Sequence, residues 1–209
     1  MLNRHQREIK DFIKKRRITT LAHFTQLENL ESILVNGLLS KHALEENEIS
    51  YSHNDEFRLE GKNNAICVSI SFPNYKMFYK YRCSKKGEWC VLELDPSILY
   101  EKECLFCINN AASSEELRRL DSEKMNISGL KKLFYDPNFY RESSNLLVRY
   151  TTNPQAEVLV LGSIEPKYIN GIHFDRNHSK YQEFRLNYPK FKFCVSRGAF
   201  SPRCDYENW

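Results

Sequence analysis

Apolar residues recur along this chain at two spacings, and the switches between them mark the elements. In residues 4–17, Ile9, Phe12 and Ile13 form one stripe on an otherwise basic segment, which predicts an amphipathic helix. Residues 19–24 read as a short strand. Thr25 with Glu28 three residues later has the form of a capping box. Leu27, Leu30 and Leu34 then share a face with Ile33 beside them, and Gly37 is a suitable stop. Residues 40–64 carry no apolar period and predict an ordered loop or flap. Residues 65–72 alternate, with Ile66, Val68, Ile70 and Phe72 on one side and Cys67, Ser69 and Ser71 on the other.

A turn and a short aromatic helix are predicted over 73–81, a strand over 89–94, and a helix over 113–121 opened by Ser113 or Ser114. A basic helix at 129–135 lies within a long segment, about 125–156, rich in Arg and Tyr. Residues 155–162 form an almost unbroken apolar run closed by Gly162, which predicts a strand. One helical turn at 166–169 and strands at 171–174 and 191–195 complete the set. The strands do not alternate with long helices, which argues against a doubly wound parallel sheet. The pattern predicts a single mixed α+β domain over 1–209 with an antiparallel or split sheet.

Composition changes this picture little. The 209 residues are 41% hydrophobic and 13% aromatic, enough for one sizeable core. The net charge of +4 is compatible with a polyanionic partner without requiring one. No apolar run approaches a membrane span. Seven cysteines, three of them (Cys67, Cys90 and Cys194) inside strand-like runs, fit a reducing, cytoplasmic setting. Cys104 and Cys107 have CxxC spacing, but no second pair stands near them, so no metal site is expected.

One residue breaks the apolar logic. Glu157 opens the 155–162 run and shares a face with Leu159 and Leu161. A carboxylate there either points into water at the strand end or lines a cleft where hydrogen bonds hold it. Two further groups carry chemistry: His23-Phe24-Thr25 at a strand-to-helix junction, and Asn54-Asp55-Glu56-Phe57-Arg58 in the long loop.

His23-Phe24-Thr25-Gln26-Leu27-Glu28-Asn29-Leu30, then Asn36-Gly37-Leu38-Leu39, Arg58, Ser69-Ile70-Ser71-Phe72-Pro73-Asn74 with Met77-Phe78, and Gln155-Ala156-Glu157-Val158-Leu159-Val160 stand in an order and spacing that resembles the DarT family. Its members are toxins of toxin–antitoxin pairs that transfer ADP-ribose from NAD onto bases of single-stranded DNA. The resemblance covers roughly residues 19–175. It implies an ADP-ribosyltransferase fold of two packed, mostly antiparallel sheets with NAD in the cleft between them. It implies Glu157 and Arg58 as the catalytic pair, and a flap at about 42–60 over NAD. The implied NAD-contacting set is His23, Phe24, Thr25, Ser32, Ser40, Arg58, Ser69, Ser71 and Met77. No metal is implied.

The residues themselves leave alternatives open. Thr25 either caps the helix or serves NAD, or does both. Arg58 either holds phosphates or the acceptor base, or pairs with Asp55 or Glu56; arginine is a poor proton acceptor. Ser69 and Ser71 either support Glu157 or form an ordinary polar strand face. Among Tyr75, Met77, Phe78, Tyr79 and Tyr81, one aromatic could stack on nicotinamide or a base, while the stripe as a whole reads as core.

The segment at about 125–156 matches the family's substrate-recognition loop. Lys131, Lys132, Tyr140, Arg141 and Arg149 have the basic and aromatic character that suits a single strand. The Arg58-Leu59-Glu60-Gly61 and Ser69–Tyr75 stretches look more like the guanosine-modifying branch of the family, so the resemblance implies guanosine, with thymidine as the alternative base. A macrodomain antitoxin on a separate chain is the implied partner. The competing readings are transfer to RNA or protein, and a non-catalytic nucleic-acid-binding module of the same fold.

Overall fold

The computed structural model describes residues 2–52, 61–136, 139–177 and 179–209. Its elements in chain order are α1 (Arg4–Arg16), β1 (Leu21–Gln26), α2 (Leu30–Asn36), α3 (Lys41–Glu46), β2 (Ala65–Ile70), α4 (Tyr75–Ser84), β3 (Trp89–Leu94), α5 (Ile98–Glu101) and β4 (Cys104–Cys107). There follow α6 (Ser114–Arg118), α7 (Asp121–Lys124), α8 (Ile127–Lys132), α9 (Tyr140–Ser143), β5 (Glu157–Leu161), β6 (Ile169–Phe174), α10 (Ser179–Asn187) and β7 (Phe193–Val195).

The strands form one hydrogen-bonded order, β4-β5-β2-β1-β3-β6-β7. All neighbours are antiparallel except β6 and β7, which run parallel. The two layers implied by the resemblance are therefore halves of a single mixed sheet. The halves separate in the middle. β1 pairs with β2 only at Leu21↔Ile70 and Ala22↔Ser69. From His23 to Gln26, β1 stays with β3, while Ala65 to Val68 of β2 stay with β5. A wedge opens between the two central strands, and it is this wedge that positions the site.

The apolar run of β5 is explained by cover on both faces. Ala156, Val158 and Val160 join the main core with Ile9 of α1 and Leu130 of α8. Leu159 packs on the other side with Ala65, Leu105 and Ala111. Each fully buried Val or Leu contributes on the order of 1.5–3 kcal/mol, so a run of three central residues anchors the strand.

Several expectations are corrected. Thr25 lies in β1 and not at a helix N-cap; α2 begins after Asn29, with no side-chain cap. Glu28 instead accepts a hydrogen bond from the Ser52 hydroxyl, which draws the loop onto the helix start. The flap region opens with the short helix α3, capped by Ser40, whose hydroxyl accepts from the Ala43 amide at 3.2 Å. Six residues are too few to show a period. β2 stops at Ile70, because Ser71 adopts φ +63° and turns the chain. Residues 53–60 of the predicted flap, which include Arg58 and its neighbours from Asn54, lie outside the described residues.

Cys104-Leu105-Phe106-Cys107, which carried no strand prediction, is the edge strand β4, paired to β5. Burial pushes the Cys104, Cys107 and Cys90 thiols up to about 12. Thiolate is the reactive form. Iodoacetamide at pH 8 should therefore label exposed Cys83 and Cys204 quickly and leave these three until the chain unfolds. Labelling at Cys104 as fast as at Cys83, located by peptide mass, would refute this burial.

Candidate active site

The wedge holds a cleft of about 630 Å³, lined by β1, α2, β2, the start of α4, the 110–112 loop and Glu157. Such a volume suits a small organic ligand. Glu157 is 5% exposed and sits at its floor. Among the described residues, Asn74, Asn110 and Ala111 donate to its carboxylate. The Ala111 amide reaches Oε2 at 2.8 Å, Asn110 Nδ2 reaches Oε2 at 3.2 Å, and Asn74 Nδ2 reaches Oε1 at 3.4 Å. The carboxylate is therefore hydrogen-bonded and faces a cleft, as buried charge requires. Of the two environments open to it from the sequence, this is the second.

The donors come from distant segments. Asn74 is 1% exposed and caps α4, accepting from the Met77 amide at 3.3 Å, while its own amide donates to Ser69 Oγ at 3.2 Å. Ser69 thus supports Glu157 through Asn74. The 108–112 loop is fixed from beneath by Glu116, which is wholly buried. Glu116 Oε1 accepts from the Ile108 and Asn109 amides at 2.7 and 3.3 Å and from Arg119 at 2.9 Å. Asn74, Asn110 and Glu116 are functional neighbours that the sequence pattern does not single out. The only signal for Asn74 was its place in the quoted motif; Asn110 and Glu116 show nothing at the level of pattern.

The opposite wall comes from β1. His23 Nδ1 bonds the Cys67 carbonyl of β2 at 2.8 Å, just where backbone pairing between the strands ends. A carbonyl accepts only, so Nδ1 carries the proton and the ring is oriented by the bond. Thr25 is 3% exposed and its hydroxyl accepts from Asn29 Nδ2 at 3.1 Å. Asn29 also holds Ser52 through two backbone bonds of 2.9 and 2.8 Å, which ties the flap base to the cleft edge. Phe24 stacks on Phe78 with centroids 4.6 Å apart and lines the cleft.

The remaining candidates divide. Ser32, Ser69 and Met77 line the cleft with His23, Phe24 and Thr25. Ser40 is 4% exposed and spent on the α3 cap. The Ser71 hydroxyl is buried outside the cleft lining, without a hydrogen-bond partner among the described residues. Of the aromatic stripe, Phe78 is core, Tyr79 is exposed, and Tyr81 lines the cleft beside Met77. Lys41, Lys76 and Lys80 also line it, a cationic rim with no signature in the sequence pattern.

The basic candidates do not converge on the cleft. Lys131 and Lys132 line a separate groove with Lys15 and Arg16 of α1 and with Glu8, Asp11 and Asp136. Leu130 of the same helix packs with Val158 and Val160, the face of β5 opposite Glu157. The Arg141 guanidinium is turned inward, donating to the Tyr150 and Leu147 carbonyls at 2.9 and 3.0 Å and to Thr152 Oγ1 at 3.0 Å. The Tyr140 hydroxyl donates to Asp205 at 2.8 Å. Arg149 lies over the Tyr150 ring at 5.2 Å, and Tyr150 packs edge-on to Phe72 at 5.6 Å, so this end of the segment reaches the end of β2. Among the described residues no group of three His, Cys, Asp or Glu is placed to hold a metal, and no helix is long and apolar enough to cross a membrane.

The fold is shared with solved structures of low sequence identity. The Thermosipho africanus DarTG structure in complex with ADP-ribose superposes with a TM-score of 0.63 at 19% identity, over 87% of this chain and 51% of that one. This chain thus spans about half of the Thermosipho chain. Thermus sp. 2.9 DarT in complex with NAD+ gives 0.56 at 17% identity, over 88% of this chain and 98% of the other. The same protein in complex with ADP-ribosylated single-stranded DNA gives 0.57 at 16%, over 88% and 97%. No curated protein matches the chain. The DarT family model, described as a single-stranded-DNA thymidine ADP-ribosyltransferase, matches residues 22–192, and with so much of the chain covered the protein belongs to the DarT family.

Proposed function

We propose that this chain binds NAD in the β1–β2 wedge and transfers ADP-ribose to a base of single-stranded DNA, releasing nicotinamide. The observation that carries the reading is Glu157, a buried carboxylate at the floor of the cleft that accepts from Asn74, Asn110 and the Ala111 amide. Breaking the bond between nicotinamide and ribose builds positive charge on the sugar. An oriented anion that also binds the ribose 2′-hydroxyl stabilises that charge without reorganising. His23 and Thr25 on the facing wall bind the sugar or nicotinamide side. Phe24, Met77 and Ser32 complete the walls, and the lysines at 41, 76 and 80 suit the pyrophosphate. Arg58 lies outside the described residues; its role is electrostatic, on the phosphates or the acceptor base, because arginine keeps its proton.

The acceptor base reaches the cleft unpaired, since duplex stacking hides its reactive atoms. In this reading Arg149 meets the strand near the cleft, Lys131 and Lys132 meet it only farther along its backbone, and Tyr140 and Arg141 shape the loop. The family description names thymidine, while the Arg58–Gly61 and Ser69–Tyr75 stretches look more like the guanosine-modifying branch. The protein acts as a toxin in the cytoplasm, and the resemblance supplies a macrodomain antitoxin as its partner.

The test is incubation with NAD and single-stranded oligonucleotides that each lack one base, read by intact mass. Gain of one ADP-ribose on every oligonucleotide except those lacking guanosine supports the guanosine branch, and the corresponding result for thymidine overturns it. Gain on RNA or protein alone refutes DNA as the acceptor. Absence of both gain and NAD loss favours a non-catalytic module.

A further inference from the structure

Residues 139–150 are poorly held by hydrophobic contacts. Leu146 is their one buried residue, while Phe139, Leu147 and Val148 are 78%, 42% and 41% exposed. A loop with so little burial needs directed bonds to keep one shape. Arg141 supplies some from within. The others come from the C-terminal tail, which lies beyond the residues matched by the family model.

Arg203 and Asp205 are 2% and 3% exposed and meet in a two-pronged pair, Nε to Oδ1 at 2.6 Å and an Nη to Oδ2 at 2.7 Å. The remaining donors of Arg203 reach the Thr151 and Thr152 carbonyls at 2.8 and 3.0 Å. Asp205 Oδ2 also accepts from Tyr140 Oη at 2.8 Å and from Trp209 Nε1 at 3.2 Å. The pair thus grips both ends of the loop, α9 and the approach to β5. The tail is docked in turn on the cleft wall. Phe200 packs on Phe78 at 5.4 Å, Arg82 donates to the Phe200 carbonyl at 2.7 Å, and Phe78 stacks on cleft-lining Phe24.

A buried ion pair is a poor source of net stability, because desolvation offsets most of the attraction. What this one provides is a set of hydrogen bonds with fixed directions. We propose that Arg203 and Asp205 are positioning residues for the acceptor: they fix the course of residues 140–152, and so govern transfer to the DNA strand and not NAD binding. The proposal rests on the reading that this segment receives the strand.

The test compares wild type with Arg203→Met/Asp205→Leu, which removes both charges and leaves neither unpaired. Trp209→Phe is a second variant that deletes only the indole N–H bonds at a 40% exposed position. Melting temperature, NAD affinity by calorimetry, and KM and kcat for an oligonucleotide are measured. NAD affinity is expected within about twofold of wild type, while kcat/KM for the oligonucleotide falls about 100-fold in the double variant, the scale of a 1 Å misplacement. Trp209→Phe should lower it by several-fold through KM, with melting unchanged. Equal losses of NAD affinity and transfer in Trp209→Phe, or no change of transfer in either variant that folds, would overturn the proposal. Failure of wild type to modify any oligonucleotide would sink the DNA reading itself, a separate outcome.

Discussion

Glu157→Gln should lower ADP-ribosyl transfer at least about 1000-fold while leaving the fold intact. Removing one preorganised electrostatic group from an acyl-transfer site costs about 10²–10³, and a full charge facing a developing cation is at the upper end. Gln keeps the length, so its carbonyl oxygen can still accept from the Ala111 amide. That oxygen also serves Asn110, but the amide nitrogen then faces Asn74 Nδ2, and the flipped rotamer faces Asn110 and Ala111 instead, so each rotamer leaves a donor facing a donor. Glu157→Ala removes the acceptor entirely, leaves buried donors unpaired, and adds roughly 1–3 kcal/mol of destabilisation per orphaned group. Intact-mass measurement of the oligonucleotide and thermal melting of both variants check this. Transfer within tenfold of wild type in Glu157→Gln would remove Glu157 from the chemistry.

Gly37→Ala should be the most damaging single-methyl change described here. Gly37 ends α2 at φ +84° and ψ −176°, a region open essentially to glycine alone. An added Cβ would stand 2.3 Å from the Ile164 carbonyl oxygen, a backbone atom that cannot swing aside. That carbonyl accepts from the Leu38 amide at 2.8 Å, and Ile164 donates back to Leu38 at 2.8 Å, so relieving the clash breaks the bridge. Backbone strain and two disturbed bonds together amount to about 3–5 kcal/mol, in the range reserved for a few mechanisms. In a chain of this length that is a fall in melting temperature of roughly 10 °C. Gly37 and Leu38 also line the cleft, so NAD affinity should fall with it. A melting temperature within 2–3 °C of wild type, about 1 kcal/mol, would show that the bridge yields easily.

The corrected expectations share a cause. The Thr25–Glu28 spacing matched a capping box, but Thr25 is held in β1 by its ladder to β3, and tertiary pairing overrides the local signal. The Ser40 hydroxyl caps a helix too short to leave a period, a contact that its place in the sequence does not reveal. Arg141 and Tyr140 have the composition of a nucleic-acid surface, and their polar atoms bond to the loop and the tail. Composition counts charges and rings; it does not say which way they point.

What the sequence by itself determined is local. The stripe of α1, the alternation of β2 and the two-sided burial of β5 follow from side-chain periodicity, which reports which face of an element meets a core, and the stop of α2 follows from glycine's access to positive φ. The isolated Glu157 in an apolar strand, and the order of motifs around it, point to the cleft that Glu157 lines. Only the tertiary structure decided what meets Glu157: Asn74 from the α4 cap, and Asn110 and Ala111 from a loop pinned by Glu116. It alone decided that β1 and β2 part after two pairs, and that the tail clamps the loop before β5. Periodicity carries no information about which distant segment will fill a donor's or acceptor's empty valence; that is settled when the chain closes on itself.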